Sequence, residues 1–202
     1  MTATRLALDL AVTLRHDGHG GVADDLADTA GLATWVRDRA TLLDCCAHPG
    51  AVDQELLDTV RELRAAVRSL FARAVLPGPP SRADDRRLLP EGEAIGRLNA
   101  AAAGVATVPE FSWAPGGSPA VRIRPTGDPS AADRLTAALA RAAIAFLQGP
   151  ERDLLRACPA PRCVRYFVKE HARQEWCAPS CGNRARVARH HERRRAGQGG
   201  AP

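Results

Sequence analysis

Residues 158–163 read CPAPRC and residues 177–181 read CAPSC, and these two segments decide how the end of the chain folds. The cysteine spacing is C-x4-C, then thirteen residues, then C-x3-C. Two close pairs joined by a hairpin-sized segment are what tetrahedral zinc requires, since each pair supplies two thiolates from one turn. Cys158, Cys163, Cys177 and Cys181 are therefore predicted to hold one structural Zn2+.

The residues around these cysteines predict a treble-clef-like finger made of a knuckle, a hairpin and a helix. A β-hairpin is expected over about Val164 to Trp176, and a helix from Gly182 to Arg195 would hold the last thiolate near its first turn, where the helix dipole favours it. Four thiolates saturate the metal and leave no place for an activated water, so the zinc is expected to be structural. Two alternatives stay open: four unliganded thiols, and a ligand set in which a histidine replaces one cysteine. The candidate histidines are His171, His190 and His191.

Arginines dominate the helix predicted after the fourth cysteine. Guanidinium groups bind phosphates bidentately and can read guanine edges, so this helix predicts nucleic-acid binding. Val187 and Ala188 are expected to pack toward the zinc, with arginines on the other faces. The predicted nucleic-acid contacts are Arg184, Arg186, Arg189, Arg193 and Arg194. The alternative is an ordinary solvated basic face.

The charge of the chain is divided unevenly. Its 202 residues include 28 Lys+Arg and 23 Asp+Glu, a formal net charge of +5. Residues 156–195 hold eleven basic and three acidic side chains, whereas the remainder holds seventeen basic and twenty acidic ones. The chain is thus an acidic body of net charge −3 with a basic end of net charge +8, which points to a polyanionic partner.

Other classes of protein find little support in the sequence. No apolar run approaches the ~18 residues of a membrane span, and no targeting segment is visible, so a cytoplasmic location with reduced thiols is expected. Cys45 and Cys46 are interpreted as small buried hydrophobes. The stretch His16-Asp17-Gly18-His19 is interpreted as a polar turn rather than a second metal or acid–base site. Without a phosphate loop or a nucleophile elbow, no enzyme is predicted.

The body is predicted to be mainly α with one small β-hairpin, an α+β arrangement. Apolar residues spaced three and four positions apart predict a helix over residues 52–75 and a short helix over 88–103. They also predict one helix or a pair of helices over 24–46, with a break at Gly31. Apolar and other residues nearly alternate over about 105–124, and this pattern predicts the hairpin there. Asp128 as N-cap followed by Pro129 predicts a further helix, which ends near Gly149.

The ending Cys181-Gly182-Asn183-Arg184, together with Trp176-Cys177 and the upstream cysteine pair, resembles the CGNR zinc finger of bacterial proteins. The body resembles the ABATE domain that usually precedes that finger. This second resemblance rests on residues 6–10 (LALDL) before Thr13, on Asp25-Leu26 and on the stretch from Leu32 to Trp35-Val36. The predicted domains are thus an ABATE-like body over residues 1–150, a CGNR-type finger over 151–196 and a disordered tail over 197–202.

The resemblance implies a zinc-dependent DNA-binding transcription regulator, whose body would sense a ligand, oligomerise or hold the finger. RNA is a close variant as partner, a homodimer and a small-molecule effector are compatible with the sequence, and a membrane is not expected. The alternative function is a zinc-stabilised protein-interaction module without direct nucleic-acid binding.

Overall fold

The computed structural model describes residues 4–19, 21–43, 52–84 and 87–198. Within them lie seven α-helices and three antiparallel two-stranded sheets, which confirms a mainly α fold with small β-hairpins. The helices are α1 Thr4–Ala11, α2 Thr29–Arg37, α3 Ala40–Leu43, α4 Gln54–Ala74, α5 Glu91–Ala103, α6 Ala131–Gln148 and α7 Pro179–Gln198. The strand pairs are β1 Leu14–His16 with β2 Val22–Asp24, β3 Thr107–Ser112 with β4 Ala120–Pro125, and β5 Leu155–Ala157 with β6 Tyr166–Val168.

Helix α4 forms the centre of the body, and α1, α5 and α6 pack around it. It begins where the Asp53 side chain accepts a hydrogen bond from the Leu56 amide, and its apolar face enters the core. There the ring of Phe71 lies 5.0 Å from that of Phe146 and 5.6 Å from that of Tyr166. Because Tyr166 belongs to β6, the strands that lead into the finger are part of the core of the body.

Two local predictions for the body are wrong. Gly31 does not break a helix but lies in the first turn of α2, where an added Cβ would stand 2.4 Å from the Asp25 carbonyl oxygen. Glycine is needed there for close backbone approach. Helix α6 is capped by Ser130 rather than Asp128, because Ser130 and Asp133 form a reciprocal capping box.

Several features near the amino end complete the description. Helix α1 and the β1–β2 pair are not anticipated by the sequence patterns, and His16 to His19 form the expected polar turn between these strands, with Asp17 Oδ1 accepting from the His19 amide. Cys45 and Cys46 lie outside the described residues. Helix α7 extends to Gln198, two residues into the predicted tail. No helix in the described ranges is long and apolar enough to cross a membrane.

Candidate metal centre and nucleic-acid interface

Four cysteine sulfurs converge where the finger meets the body. Cys158, Cys163, Cys177 and Cys181 have all their Sγ atoms within 4.8 Å of one another. The Cys163 sulfur lies 3.7 Å from that of Cys177 and 3.8 Å from that of Cys181, and the last two are 3.4 Å apart. Four thiolates at about 2.3 Å from a tetrahedral zinc would be about 3.8 Å apart. The donor set and its spacing therefore fit one structural zinc ion.

The first cysteine pair lies on a tight knuckle between β5 and β6. The Cys158 amide donates to the Arg165 carbonyl, and the Cys163 amide donates to the Ala160 carbonyl. Pro161 and Arg162 are the two central residues of the turn that the bond between Cys163 and Ala160 closes, and Arg162 has φ of 63°. Proline before a left-handed residue is the type II turn pattern, although glycine is the usual residue at the left-handed position.

The expected hairpin over Val164 to Trp176 is wrong. Strand β6 pairs with β5, which precedes the first cysteine, so the hairpin encloses the knuckle instead of following it. The physical reason is that Cys158 and Cys163 are brought together by the strands that flank them. After β6 the chain runs through a series of turns to the second cysteine pair, and this stretch is here called the crossing segment. Lys169 Nζ closes one of these turns by donating to the Ala172 carbonyl.

The second cysteine pair is held by the start of α7. Helix α7 begins at Pro179, three residues before the predicted Gly182, so Cys181 lies in its first turn as expected and its amide donates to the Ala178 carbonyl. Trp176 lies across Gly182, where an added Cβ would be 3.1 Å from the ring carbon Cδ1. The glycine of the CGNR sequence thus admits the tryptophan that covers the cluster, and Phe167 closes the same small core from β6.

The thiols cannot ionise independently because their sulfurs are in contact. Hydrogen bonds from Cys163 and Cys177 lower the pKa of Cys158 to about 3, whereas hydrogen bonding to Cys158 and the neighbouring sulfur charges raise the pKa of Cys177. A divalent cation removes this conflict by stabilising all four thiolates. Zinc with four thiolates carries a net charge of −2.

Arg184 supplies a positive charge beside this cluster. Its Nη2 lies 3.0 Å from the Cys181 sulfur, and its Nη1 lies 3.4 Å from His16 Nδ1. Burial acts to lower the pKa of Arg184, but the hydrogen bond and charge of the Cys181 thiolate outweigh it and raise that pKa. The CGNR arginine therefore joins the metal centre to the β1–β2 turn, and it reaches neither an acid of the body nor an exposed face.

The remaining arginines of α7 are exposed. Arg186, Arg189, Arg193, Arg194 and Arg195 all face solvent, and every residue from 189 to 195 is exposed. The prediction that Val187 packs toward the zinc is wrong, since Val187 is 56% exposed and Ala185 is the buried residue. Helical spacing explains this, because Ala185 follows Cys181 by four positions whereas Val187 lies on the far side. Asn183 accepts from Arg186 Nη2 rather than bonding the backbone or a sulfur.

The histidines considered as substitute ligands lie elsewhere. In the part of the chain that the structure describes, the four cysteines are the group of His, Cys, Asp and Glu residues assembled closely enough for a metal. His190 and His191 lie on the exposed part of α7, and His171 is exposed in the crossing segment. The complete cysteine set is therefore the one that the structure brings together.

A buried polar cluster that the sequence analysis missed anchors the finger. Arg68 of α4 pairs with Asp84 through Nε at 2.7 Å and Nη2 at 3.1 Å, and the two side chains are 3% and 6% exposed. The Tyr166 hydroxyl donates to Asp84 Oδ2 at 2.7 Å, while Ser81 Oγ and Arg68 Nη2 both donate to the Val164 carbonyl. The only sequence signal is the position of Arg68 on the apolar face of α4.

Comparison with known families gives two matches. The ABATE family model, described as "Putative stress-induced transcription regulator", matches residues 4–150. The model of the CGNR zinc finger matches residues 155–194. No curated protein matches the chain. The two family matches together span the body, the cysteine cluster and the basic helix.

Proposed function

We propose that this chain, which belongs to the ABATE family and carries a CGNR zinc finger, is a zinc-dependent DNA-binding transcription regulator. One observation carries the proposal: a helix that starts on the metal centre and leaves the body with every residue from 189 to 195 exposed and arginines along its length. Exposed arginines in this density attract a polyanion.

The shape of α7 suits a DNA groove. Residues 186–198 of this helix extend beyond the metal centre, a length of about 20 Å at 1.5 Å per residue. Arg186, Arg189 and Arg193 recur at three and four positions and share one side, while Arg194 and Arg195 lie to the other sides. The major groove is about 12 Å wide and admits one helix, with phosphates on both walls within reach of arginine side chains.

The proposed phosphate contacts differ from the set expected from the sequence. Arg186, Arg189, Arg193 and Arg194 remain, and Arg195 is added because it is equally exposed. Arg184 is assigned to positioning because its guanidinium already lies against the Cys181 sulfur. It offsets part of the negative charge of the zinc–thiolate centre, which would otherwise repel the DNA backbone.

Two features support duplex DNA over single-stranded RNA. Base stacking on aromatic rings is the usual means of binding single strands. Within the finger, Tyr166 and Phe167 are buried in the two cores and Trp176 is partly buried against Gly182, so no aromatic ring of the finger is fully exposed for stacking. The arginine helix, in contrast, needs no unstacked bases.

The body is proposed to hold the finger in a fixed orientation. Arg68, Asp84, Ser81 and Tyr166 tie β6 to α4, and Leu155 enters the same core. The negative charge of the body would also orient the molecule, since it is repelled by DNA while the finger is attracted. We further propose a cytoplasmic location, as this function needs access to the chromosome, and no catalytic role for the zinc.

The test is fluorescence-anisotropy titration of a labelled 20-base-pair duplex with the zinc-loaded full chain. The wild type is compared with a finger triple variant, Arg186→Gln, Arg189→Gln and Arg193→Gln, and with a body triple variant, Arg5→Gln, Arg37→Gln and Arg82→Gln. Both variants lose the same charge from exposed positions. We expect the finger variant to weaken binding by at least 100-fold and the body variant by less than threefold. Equal affinity in all three proteins would refute the proposal and favour an interaction module.

A further inference from the structure

The hairpin β3–β4 has one uncovered apolar face. Residues 108–128 are all exposed, so the hairpin projects from the body as an arm. Pairing of Pro109 with Ile123 and of Phe111 with Val121 places these four side chains on one face, because directly opposed residues in an antiparallel pair point to the same side. Trp113 packs edge-on against Phe111 at 6.4 Å.

The opposite face of the arm is mostly charged, with Val108 as its one large apolar side chain. It carries Arg122, Arg124 and Glu110, and Arg124 pairs with Glu110 at 2.9 Å. Phe111, Val121, Ile123 and Trp113 are between 61% and 65% exposed on the apolar face. An isolated two-stranded hairpin is marginally stable in water. This division into faces, with large rings in solvent, is typical of a surface that another protein covers.

The body carries an uncovered apolar groove as well. A cavity of about 670 Å³ lies between α4, α5 and α6, with Leu70, Ile95, Leu98, Ile144 and Leu147 in its lining. A second cavity of about 250 Å³ shares Leu70, Arg73 and Glu91 with the first and extends it past Leu76 and Leu88. Ile95, Leu76 and Leu88 are 42%, 64% and 42% exposed. The two cavities adjoin along the body and share the exposed Arg73–Glu91 ion pair, which interrupts their apolar lining; together they are here called the α4–α5 groove.

We propose that the arm is a dimerisation element that lies in the α4–α5 groove of a second copy of this chain. The arm leaves the body at the carboxyl end of α5, whereas the groove lies near Glu91 and Ile95 at the amino end of that helix. The arm can therefore reach the groove of a second copy more readily than the groove of its own chain. In a dimer with two-fold symmetry both arm–groove contacts form together, so each copy covers the apolar face of the other copy's arm.

The area involved favours this arrangement over contact between the two arms alone. Four exposed apolar side chains offer roughly 500 Å² per arm, taking about two thirds of the surface of each ring and aliphatic group. Two arms packed face to face would bury only about 1,000 Å² in total, the lower limit for a stable interface. Two arms in two grooves would bury about 1,500 Å², within the range of standard specific interfaces.

Dimerisation stands apart from DNA binding, and its test contains no DNA. Sedimentation velocity of the zinc-loaded full chain is measured from 1 to 100 μM, where a monomer has a mass of 21.5 kDa. We expect a dimer whose dissociation constant rises at least tenfold in Phe111→Ser and in Ile95→Glu. Val22→Glu changes an exposed apolar residue outside both surfaces and is expected to leave it unchanged.

Mixing the two variants separates the geometries. Phe111→Ser retains an intact groove and Ile95→Glu retains an intact arm, so a mixture regains one of the two arm–groove contacts and should dimerise more tightly than either variant alone. A monomer at every concentration would overturn the proposal. So would a dimer that Phe111→Ser weakens and Ile95→Glu does not, since that result indicates arm-to-arm contact. Circular dichroism of Ile95→Glu, on the surface of α5, checks that the helical body is intact.

Discussion

Removal of a single hydroxyl group, in Tyr166→Phe, should loosen the finger from the body. The hydroxyl donates to Asp84 Oδ2 at 2.7 Å and accepts from the Ser81 amide at 3.3 Å, and all three residues are buried. A hydrogen bond to a buried charged group contributes about 1.5–3 kcal/mol, so we expect the free energy of unfolding to fall by about 2 kcal/mol. The ring and its contact with Phe71 are retained.

Urea denaturation of the zinc-loaded protein measures this change. With an m value of about 2 kcal/mol/M, the midpoint should fall by about 1 M. Asp84→Asn should cost more, about 3–5 kcal/mol, because it leaves the Arg68 guanidinium without its buried counter-charge. In a double-mutant cycle the two substitutions should be far from additive, since both act on the bond between Tyr166 and residue 84. A loss below 0.5 kcal/mol in Tyr166→Phe would refute this account of the anchor.

The same hydroxyl also predicts a pH dependence. Burial, and then the charge of Asp84, raise the pKa of Tyr166, so the folded protein holds the neutral phenol. The stability that the neutral Tyr166 phenol contributes is complete below about pH 10, which is the pKa of tyrosine in the unfolded chain. It is lost as the pH rises above that value, by up to about 1.4 kcal/mol per pH unit. Tyr166→Phe should therefore show a shallower alkaline loss of stability than the wild type. Equal slopes from pH 9 to 11 would contradict the assignment.

Three further perturbations test the body and the metal centre. Gly182→Ala places a methyl group against the Trp176 ring, and a competing chelator should remove zinc from this variant at least tenfold faster; unchanged release would count against that packing. Burial acts to raise the pKa of Asp24, but the hydrogen bonds and charge of Arg64 lower it, so Asp24→Asn should destabilise the protein by about 2 kcal/mol at pH 7 and by less as the pH falls below 4. A pH-independent difference in urea stability would argue against that pair. Arg162→Gly removes the strain of a side chain held in the left-handed backbone conformation, so it should raise the free energy of unfolding in urea by about 1 kcal/mol. A lower free energy of unfolding would mean that the turn is unstrained.

The metal centre could be predicted from the sequence because its information is local. Each cysteine pair lies within a single turn, and proline restricts the chain at Pro161 and Pro179. The direction of the hairpin could not be predicted in the same way. Residues 164–168 favour a strand, but the pattern does not say whether its partner precedes or follows it, and β5 is only three residues long.

The attachment of the finger was beyond the reach of periodicity. The bond from Arg68 to the Val164 carbonyl joins positions 96 residues apart, and that from Tyr166 to Asp84 joins positions 82 apart. Hydrophobic spacing identified the buried face of α4 from its apolar residues alone and gave no sign that Arg64 and Arg68 are buried on it. The role of Arg184 was missed for a related reason, since a basic residue in a basic helix gives no sign that it faces a sulfur.

The salt dependence of duplex binding tests the central claim most directly. The affinity of the zinc-loaded full chain is measured by anisotropy between 50 and 300 mM salt for the wild type and for the Arg186, Arg189 and Arg193 triple glutamine variant. If the five exposed arginines of α7 meet phosphates, log K should fall against log salt with a slope of roughly −4.5 for the wild type and roughly −1.8 for the variant. Equal slopes in the two proteins, or no binding by the zinc-loaded wild type, would contradict the account.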